Sequence, residues 1–169
     1  MAAGATYEPI ATTTLSSAQA SVTFSSISGS YTDLVVVIIG KLTTTGNGAF
    51  VRINSDSGTN YSTTNIYGTG SVAGSGRHTN NSNGMHIGEW QNGGSSSLMV
   101  SICHFMNYSN TTTYKTMLNR CADPGSGTDA QVGLWRSTSA ITDLTFRSDN
   151  TSNTWASGTT FTLYGIKAA

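Results

Sequence analysis

Few residues of this 169-residue chain could do covalent chemistry, and the most suggestive pair is Cys103 beside His104. A thiol next to an imidazole can form the nucleophile and base of a covalent enzyme. Both residues lie in the strand-like segment "SLMVSICHFMNY", 97–108, and neighbouring side chains of a strand point to opposite faces. The imidazole therefore cannot activate the thiol, and we predict a structural role for Cys103.

Cys121 is the only other cysteine, and two cysteines are too few for a disulfide-built scaffold. A bridge between Cys103 and Cys121 needs a long hairpin that brings them together, which only geometry decides. The opening "MAAGATYEPIATTT" lacks the pattern of a secretory signal, so reduced thiols are the default expectation. The sequence leaves the bridged form open as an alternative.

Metal-binding patterns are weak. A zinc site needs three or four convergent ligands, and no cysteine or carboxylate accompanies His78, His86 or His104 at ligand spacing. The stretch "NSDSGTN", 54–60, offers side-chain oxygens but contains one acid, whereas a calcium loop uses several carboxylates. A β-turn in which Gly58 takes a positive φ accounts for the same residues. We predict no metal and no other cofactor.

The charged residues argue against catalysis and against nucleic-acid binding. Only 9% of the chain is charged, and no two acids in the sequence resemble a glycosidase pair. We therefore expect no enzymatic activity. Eight basic residues balance eight acidic ones, so the basic surface that nucleic acids require is not indicated. No stretch approaches the roughly 18 apolar residues of a membrane span.

Aromatic side chains in polar loops are the remaining candidates for a binding site. Trp90 and Trp155 lie in such segments and could stack on sugar rings, while nearby Asn and Ser side chains supply hydrogen bonds. The alternative, which we favour, is that these aromatic residues belong to the core or to an interface.

The secondary-structure elements that contain these residues are predicted to be short strands. Gly, Thr, Ser and Asn recur throughout, and no segment shows the apolar stripe of an amphipathic helix. Turn-rich stretches separate about nine strand-like segments, and a short strand around 85–90 is expected between Gly-rich loops in 68–96. The pattern predicts an all-β, antiparallel sandwich or barrel over 21–169, preceded by an extended arm at 1–20 that is ordered only when something binds it.

The segment "DLVVVIIGKL", 33–42, is apolar on both faces of its predicted strand. One face consists of Leu34, Val36 and Ile38, and the other of Val35, Val37 and Ile39. Because one face of each sheet in a sandwich looks outward, the second face needs a cover. We predict an obligate oligomer with these six residues in the core and interface, and with Val22, Phe24 and Ile27 anchoring the end of the arm.

Three motifs carry a resemblance to a known group of proteins. They are "F-S-S-I-x-x-x-Y-T-D-L" at 24–34, "N-x-D-x-G-x-N-Y" at 54–61 and "L-Y-G-I" at 163–166. With the flanking sequence they resemble small structural proteins of tailed bacteriophages. The resemblance implies a jelly-roll-like module on the virion, commonly a homotrimer, that decorates the capsid or forms part of a tail fibre. It carries no catalytic residue.

The leading hypothesis is therefore a virion structural protein, assembled in the bacterial host cytoplasm, that caps or cements the capsid surface. Its partners would be copies of itself and the major capsid or tail protein, with residues 2–20 as a docking arm. The alternative is a tail-fibre or adhesin module that binds host surface glycans through Trp90 and Trp155. A polysaccharide depolymerase ranks below both, because no acid pair is apparent.

Overall fold

The computed structural model describes residues 6–44, 48–88, 97–148 and 153–167. Within these residues the chain forms 12 strands, every pairing between neighbours is antiparallel, and no helix is present. The prediction of an all-β fold is confirmed. No membrane-crossing helix is found among the described residues.

The strands alternate with short turns along the chain. In order they are β1 (Tyr7–Thr14), β2 (Ser21–Phe24), β3 (Asp33–Gly40), β4 (Ala49–Ile53), β5 (Tyr61–Gly68), β6 (Ala73–Asn81), β7 (Met85–Gly88), β8 (Met99–Met106), β9 (Lys115–Asp123), β10 (Gly127–Trp135), β11 (Leu144–Ser148) and β12 (Thr160–Ile166).

The strands form two sheets that pack as a sandwich. The large sheet has eight strands in the order β1-β12-β3-β8-β9-β10-β5-β6, and the small sheet has four in the order β2-β11-β4-β7. One hydrophobic core contains buried side chains from both sheets, among them Phe146 of β11 and Phe161 of β12, whose ring centroids are 5.8 Å apart. Burying each such side chain contributes roughly 1.5–3 kcal/mol to folding. The jelly-roll topology stays a prediction.

The beginning of the chain differs from the expected arm. Residues 7–14 form β1, an edge strand that pairs with β12 of the same chain, and the backbone N–H of Leu15 donates to the carbonyl of Thr159. A bulge lies between Pro9 and Ala11. The described part of 1–20 therefore pairs with strand β12 of its own chain, and binding of this segment to a partner stays a prediction.

The turn after β4 also differs in detail. We predicted a positive φ at Gly58, but the left-handed residues are Asn54, with φ of 48°, and Ser55, with φ of 57°. Asn54 tolerates this conformation well. Its Oδ1 also accepts hydrogen bonds from the backbone N–H groups of Thr142 and Asp143. The left-handed conformation that we expected at Gly58 is thus found at Asn54 and Ser55 instead.

The segment 68–96 contains more regular structure than expected. β7 agrees with the short strand predicted near 85–90. The preceding residues, predicted as a Gly-rich loop, form β6, which lies at the edge of the large sheet and is mostly exposed. Backbone hydrogen bonding to β5 does not require apolar side chains, so no alternation of apolar residues predicted a strand at β6.

Candidate functional site

The two faces of β3 have different surroundings. Leu34, Val36 and Ile38 point into the sandwich and are fully buried. On the opposite side, the outer face of the large sheet, Val35 is buried, Val37 is half-buried and Ile39 is 45% exposed. The first set is core, as predicted. The second set is only partly covered by the described chain, so its assignment to an interface stays a prediction.

Other strands extend this apolar surface. The most exposed members on the same side of the sheet, which we call the outer apolar face, are Ile39 (45%), Ile66 (64%), Val100 (39%), Leu118 (48%) and Val132 (43%). The register joins them, because Ile39 lies opposite Val100 and Leu118 lies opposite Val132. An apolar surface that continues across several strands is typical of a contact region.

The inner side of the same strands buries amide side chains among the apolar core residues. Gln131 of β10 lies opposite Asn119 on β9 and opposite Asn65 on β5, and all three are buried. Among the described residues no donor reaches Oδ1 of Asn119 or Oε1 of Gln131. A buried acceptor without a donor costs roughly 1–3 kcal/mol. The central strands therefore bury amides and expose Leu and Val.

A groove of about 550 Å³ crosses the outer side of the large sheet. We call it the outer groove. Its apolar walls come from six strands and include Tyr7, Val35, Ile66, Ile102, Leu118 and Val132. Two ionisable side chains, His104 and Arg120, also line it. A depression of this size, mostly apolar with few polar groups, is typical of a binding site.

Of the two ionisable side chains in the groove, His104 is paired with a carboxylate and Arg120 has no acceptor among the described residues. Nε2 of His104 lies 2.9 Å from Oδ2 of Asp33, and the backbone N–H of Asn107 donates to Oδ1 of the same carboxylate. In contrast, no acceptor within the described residues engages the guanidinium of Arg120, which also borders an adjoining depression of about 440 Å³. Within the part of the chain that the structure describes, Arg120 is thus an exposed cation without an acceptor at the edge of a mainly apolar groove.

The two cysteines are free and buried. They are diagonal neighbours on β8 and β9, since Cys103 lies opposite Asn119 and Cys121 lies opposite Ser101. Burial raises the pKa of Cys103 to about 12 and also raises that of Cys121. Cys103 points inward and His104 outward, as the strand pattern predicted. These thiols are protonated at neutral pH and are poor nucleophiles.

The other histidines form a ring stack between the edges of the two sheets. The ring centroids of His78 on β6 and His86 on β7 are 4.2 Å apart, and Phe50 packs at the same distance on His86. Burial, with a smaller contribution from His78, lowers the pKa of His86 to about 3. Among the described residues no group of three or more His, Cys, Asp or Glu side chains could hold a metal ion.

The single acid of the 54–60 turn has a structural role. Oδ2 of Asp56 accepts hydrogen bonds from the indole N–H of Trp135 at 2.7 Å and from Nδ2 of Asn60 at 2.9 Å, and Oδ1 accepts the backbone N–H of Gly58. Partial burial alone would raise the pKa of Asp56, but these hydrogen bonds lower it. The turn interpretation accounts for these contacts.

The proposed glycan contacts and arm anchors fall in different places. Trp155 is fully buried, and its indole N–H donates to the carbonyl of Phe146, so its assignment as an exposed glycan contact is corrected to the core. Trp90 lies outside the described residues. Val22, Phe24 and Ile27 are buried in the core.

The groove residues Arg120, Leu118 and Val132 were not predicted from the sequence, although the alternation of β9 and β10 shows which side chains share a face.

Comparisons with known proteins add little to this geometry. No protein-family model matches the chain, and no curated protein is similar to it. Among solved structures, the alginate lyase Aly36B has a TM-score of 0.31 at 6% identity, over 94% of this chain and 80% of that one. The structure of an Aly36B mutant in complex with alginate tetrasaccharide has a TM-score of 0.29 at 6% identity, over 93% and 79% of the two chains. At these scores the likeness does not bear on function.

Proposed function

We propose that this chain is a structural subunit of a bacteriophage particle, an oligomeric β-sandwich that decorates or cements the capsid surface. The single observation that carries the proposal is the outer apolar face of the large sheet. Its central strands bury the amides of Asn119 and Gln131 and expose Leu118 and Val132. Exposed apolar side chains that adjoin across neighbouring strands favour burial by another subunit on the outer apolar face.

The end of the outer apolar face at Ile39 and Val100 is the proposed contact between copies of the chain. These residues lie opposite each other on β3 and β8 and do not line the outer groove. Covering the exposed parts of both side chains would contribute on the order of 1 kcal/mol for each. A formal net charge of zero lets copies approach closely without mutual repulsion.

The first experiment measures the mass of the purified chain by sedimentation velocity at micromolar concentration. We expect a multiple of 17.6 kDa, with a trimer as the prediction from the resemblance. Val100→Lys should shift the population toward the monomer, because a charge replaces an apolar contact. Val72→Lys is the matched control, since Val72 is exposed but lies in the turn before β6. A wild-type monomer would contradict the proposal.

The second experiment locates the chain on particles. An antibody raised against the purified protein should label intact phage in immunogold electron microscopy, on the capsid shell if the chain is a cement protein. Label confined to the tail would favour a fibre module, and unlabelled particles would contradict a virion role. The glycan-binding alternative has lost one of its two proposed contacts, because Trp155 is buried.

A further inference from the structure

The outer groove contains a cation whose partner is not supplied by the described chain. Arg120 lines both the groove and the adjoining depression, so it stands where the two meet. Asp33, which pairs with the groove residue His104, is also engaged by the backbone of Asn107, and the buried Asp129 of the adjoining depression accepts a hydrogen bond from Gln131. Arg120 is exposed, and an exposed guanidinium bordered by apolar side chains can bind a carboxylate through two parallel hydrogen bonds.

The shape of the groove favours an extended occupant. Its lining runs from Val35 on β3, through Leu118 and Val132 on β9 and β10, to Ile66 on β5. Strands are spaced about 4.8 Å apart, so the distance along the sheet from β3 to β5 is roughly 19 Å, which about six residues of extended peptide would span. The walls offer apolar contact along this path and one positive charge near its middle.

A second copy of the same face is a poor occupant. In a face-to-face pair related by a two-fold axis at the groove, the Arg120 side chains of the two copies would approach each other. Like charges brought together in apolar surroundings repel. The charge of the groove therefore calls for a partner that carries an acid.

We propose that the outer groove binds an extended segment of a partner polypeptide that carries one Asp or Glu between apolar residues, with its carboxylate on Arg120. This inference rests on the proposed function, because it takes the partner to be another protein of the phage particle. Apolar side chains of the segment would pack on Leu118, Val132 and Ile66, while its carboxylate pairs with the guanidinium.

The test selects binders from a displayed library of random heptapeptides on the wild-type protein. We expect enriched sequences with a single acid flanked by apolar residues. A synthetic enriched peptide should bind Arg120→Leu at least tenfold more weakly than wild type, and replacing its acid by the amide should cause a similar loss. Arg77→Leu is the matched control, because Arg77 is an exposed arginine on β6 that does not line the groove. It should bind the peptide as wild type does.

Several outcomes would overturn the inference. Enriched peptides without an acid, equal binding to Arg120→Leu, or no enrichment at all would each do so. Decanoate, titrated by calorimetry, would identify a small amphiphile as the occupant if it alone bound in an Arg120-dependent way, and the peptide proposal would then fail. Circular dichroism verifies that Arg120→Leu is folded. If the peptide proposal fails, the prediction of an oligomer is unaffected. If the protein is a monomer that still selects acidic peptides, only the proposed assembly is contradicted.

Discussion

Leu118 and Val132 lie directly opposite each other on β9 and β10, and both point away from the core with more than two-fifths of their surface exposed. The next pair along the same strands, Asn119 and Gln131, points into the sandwich and is buried. A shift of one residue in either strand would exchange these environments. The same shift would turn the buried Met117 of β9 or Trp135 of β10 outward, so the observed orientation keeps these side chains in the core and leaves Leu118 and Val132 exposed.

The close packing of β7 on the large sheet predicts a sharp difference between two glycines. A Cβ atom at Gly133 would lie 2.5 Å from Sδ of the buried Met85, whereas a Cβ at Gly68 would meet nothing within 4 Å. We expect Gly133→Ala to lower the free energy of unfolding by about 1–3 kcal/mol through overpacking. Gly68→Ala should change it by less than about 0.5 kcal/mol. Urea denaturation measures both, and equal effects would contradict the described contact.

The burial of Trp155 predicts a large effect on stability. Its ring packs edge-on against Phe161, with centroids 5.0 Å apart, and its indole N–H is bonded to the carbonyl of Phe146. Trp155→Ala should lower the free energy of unfolding by about 3–5 kcal/mol because it leaves a cavity. Trp155→Phe should cost less, since it keeps most of the apolar volume. A Trp155→Ala protein as stable as wild type would place the residue on the surface.

The stack of His86 between His78 and Phe50 predicts a pH dependence of stability. Burial lowers the pKa of His86 to about 3 in the folded protein, below the usual value of 6.5. Between these values the unfolded chain binds a proton that the folded chain does not, so stability falls as the pH drops from about 6.5 toward 3.

Replacement of that imidazole should remove its share of the pH dependence. His86→Phe keeps an aromatic ring in the stack but cannot bind a proton, so the free energy of unfolding should fall less between pH 7 and pH 5 than in wild type. The measurement is urea denaturation at the two pH values. Trp155→Phe, which leaves every histidine in place, serves as the control and should retain the wild-type slope. An unchanged slope in His86→Phe would contradict the assignment.

The buried thiols predict slow chemical modification. Burial raises the pKa of Cys103 to about 12 and removes both sulfur atoms from solvent. Under native conditions a water-soluble disulfide reagent should react with neither cysteine on the timescale of minutes, and in guanidinium chloride it should label both at once. Rapid labelling of one thiol in the native protein would contradict the described burial. Labelling of none after unfolding would indicate a disulfide.

Much of the fold could be predicted because alternation and turns are local properties. The strand at 33–40 and the inward side of Leu34, Val36 and Ile38 follow from period-two hydrophobicity, which is strong there. β1 was missed because it lacks a clear alternation and pairs with β12 at the far end of the chain, and β6 was missed because its side chains are mainly small and polar. Such pairings leave little trace in the residues themselves.

The site was harder to predict than the fold. Tyr7, Arg120 and Ile66 are far apart in sequence and meet only because β1, β9 and β5 belong to one sheet. Trp155 was considered as a glycan contact because its neighbours in sequence are polar, but it is buried in the core, which is the interpretation that we favoured for these aromatic residues. Long-range register, which a single sequence does not display, decides both cases.

The two rims of the large sheet are unequal, and this limits how copies can join. On β1 the proline ring of Pro9 has no N–H to offer and the bulge beside it disturbs the ladder, so strand addition at that rim is blocked. On β6 no proline interrupts the rim. Growth that needs both rims, as in a head-to-tail ring or filament, is therefore closed to this molecule. A threefold assembly could therefore not join its copies by pairing the β1 rim of one large sheet with the β6 rim of the next.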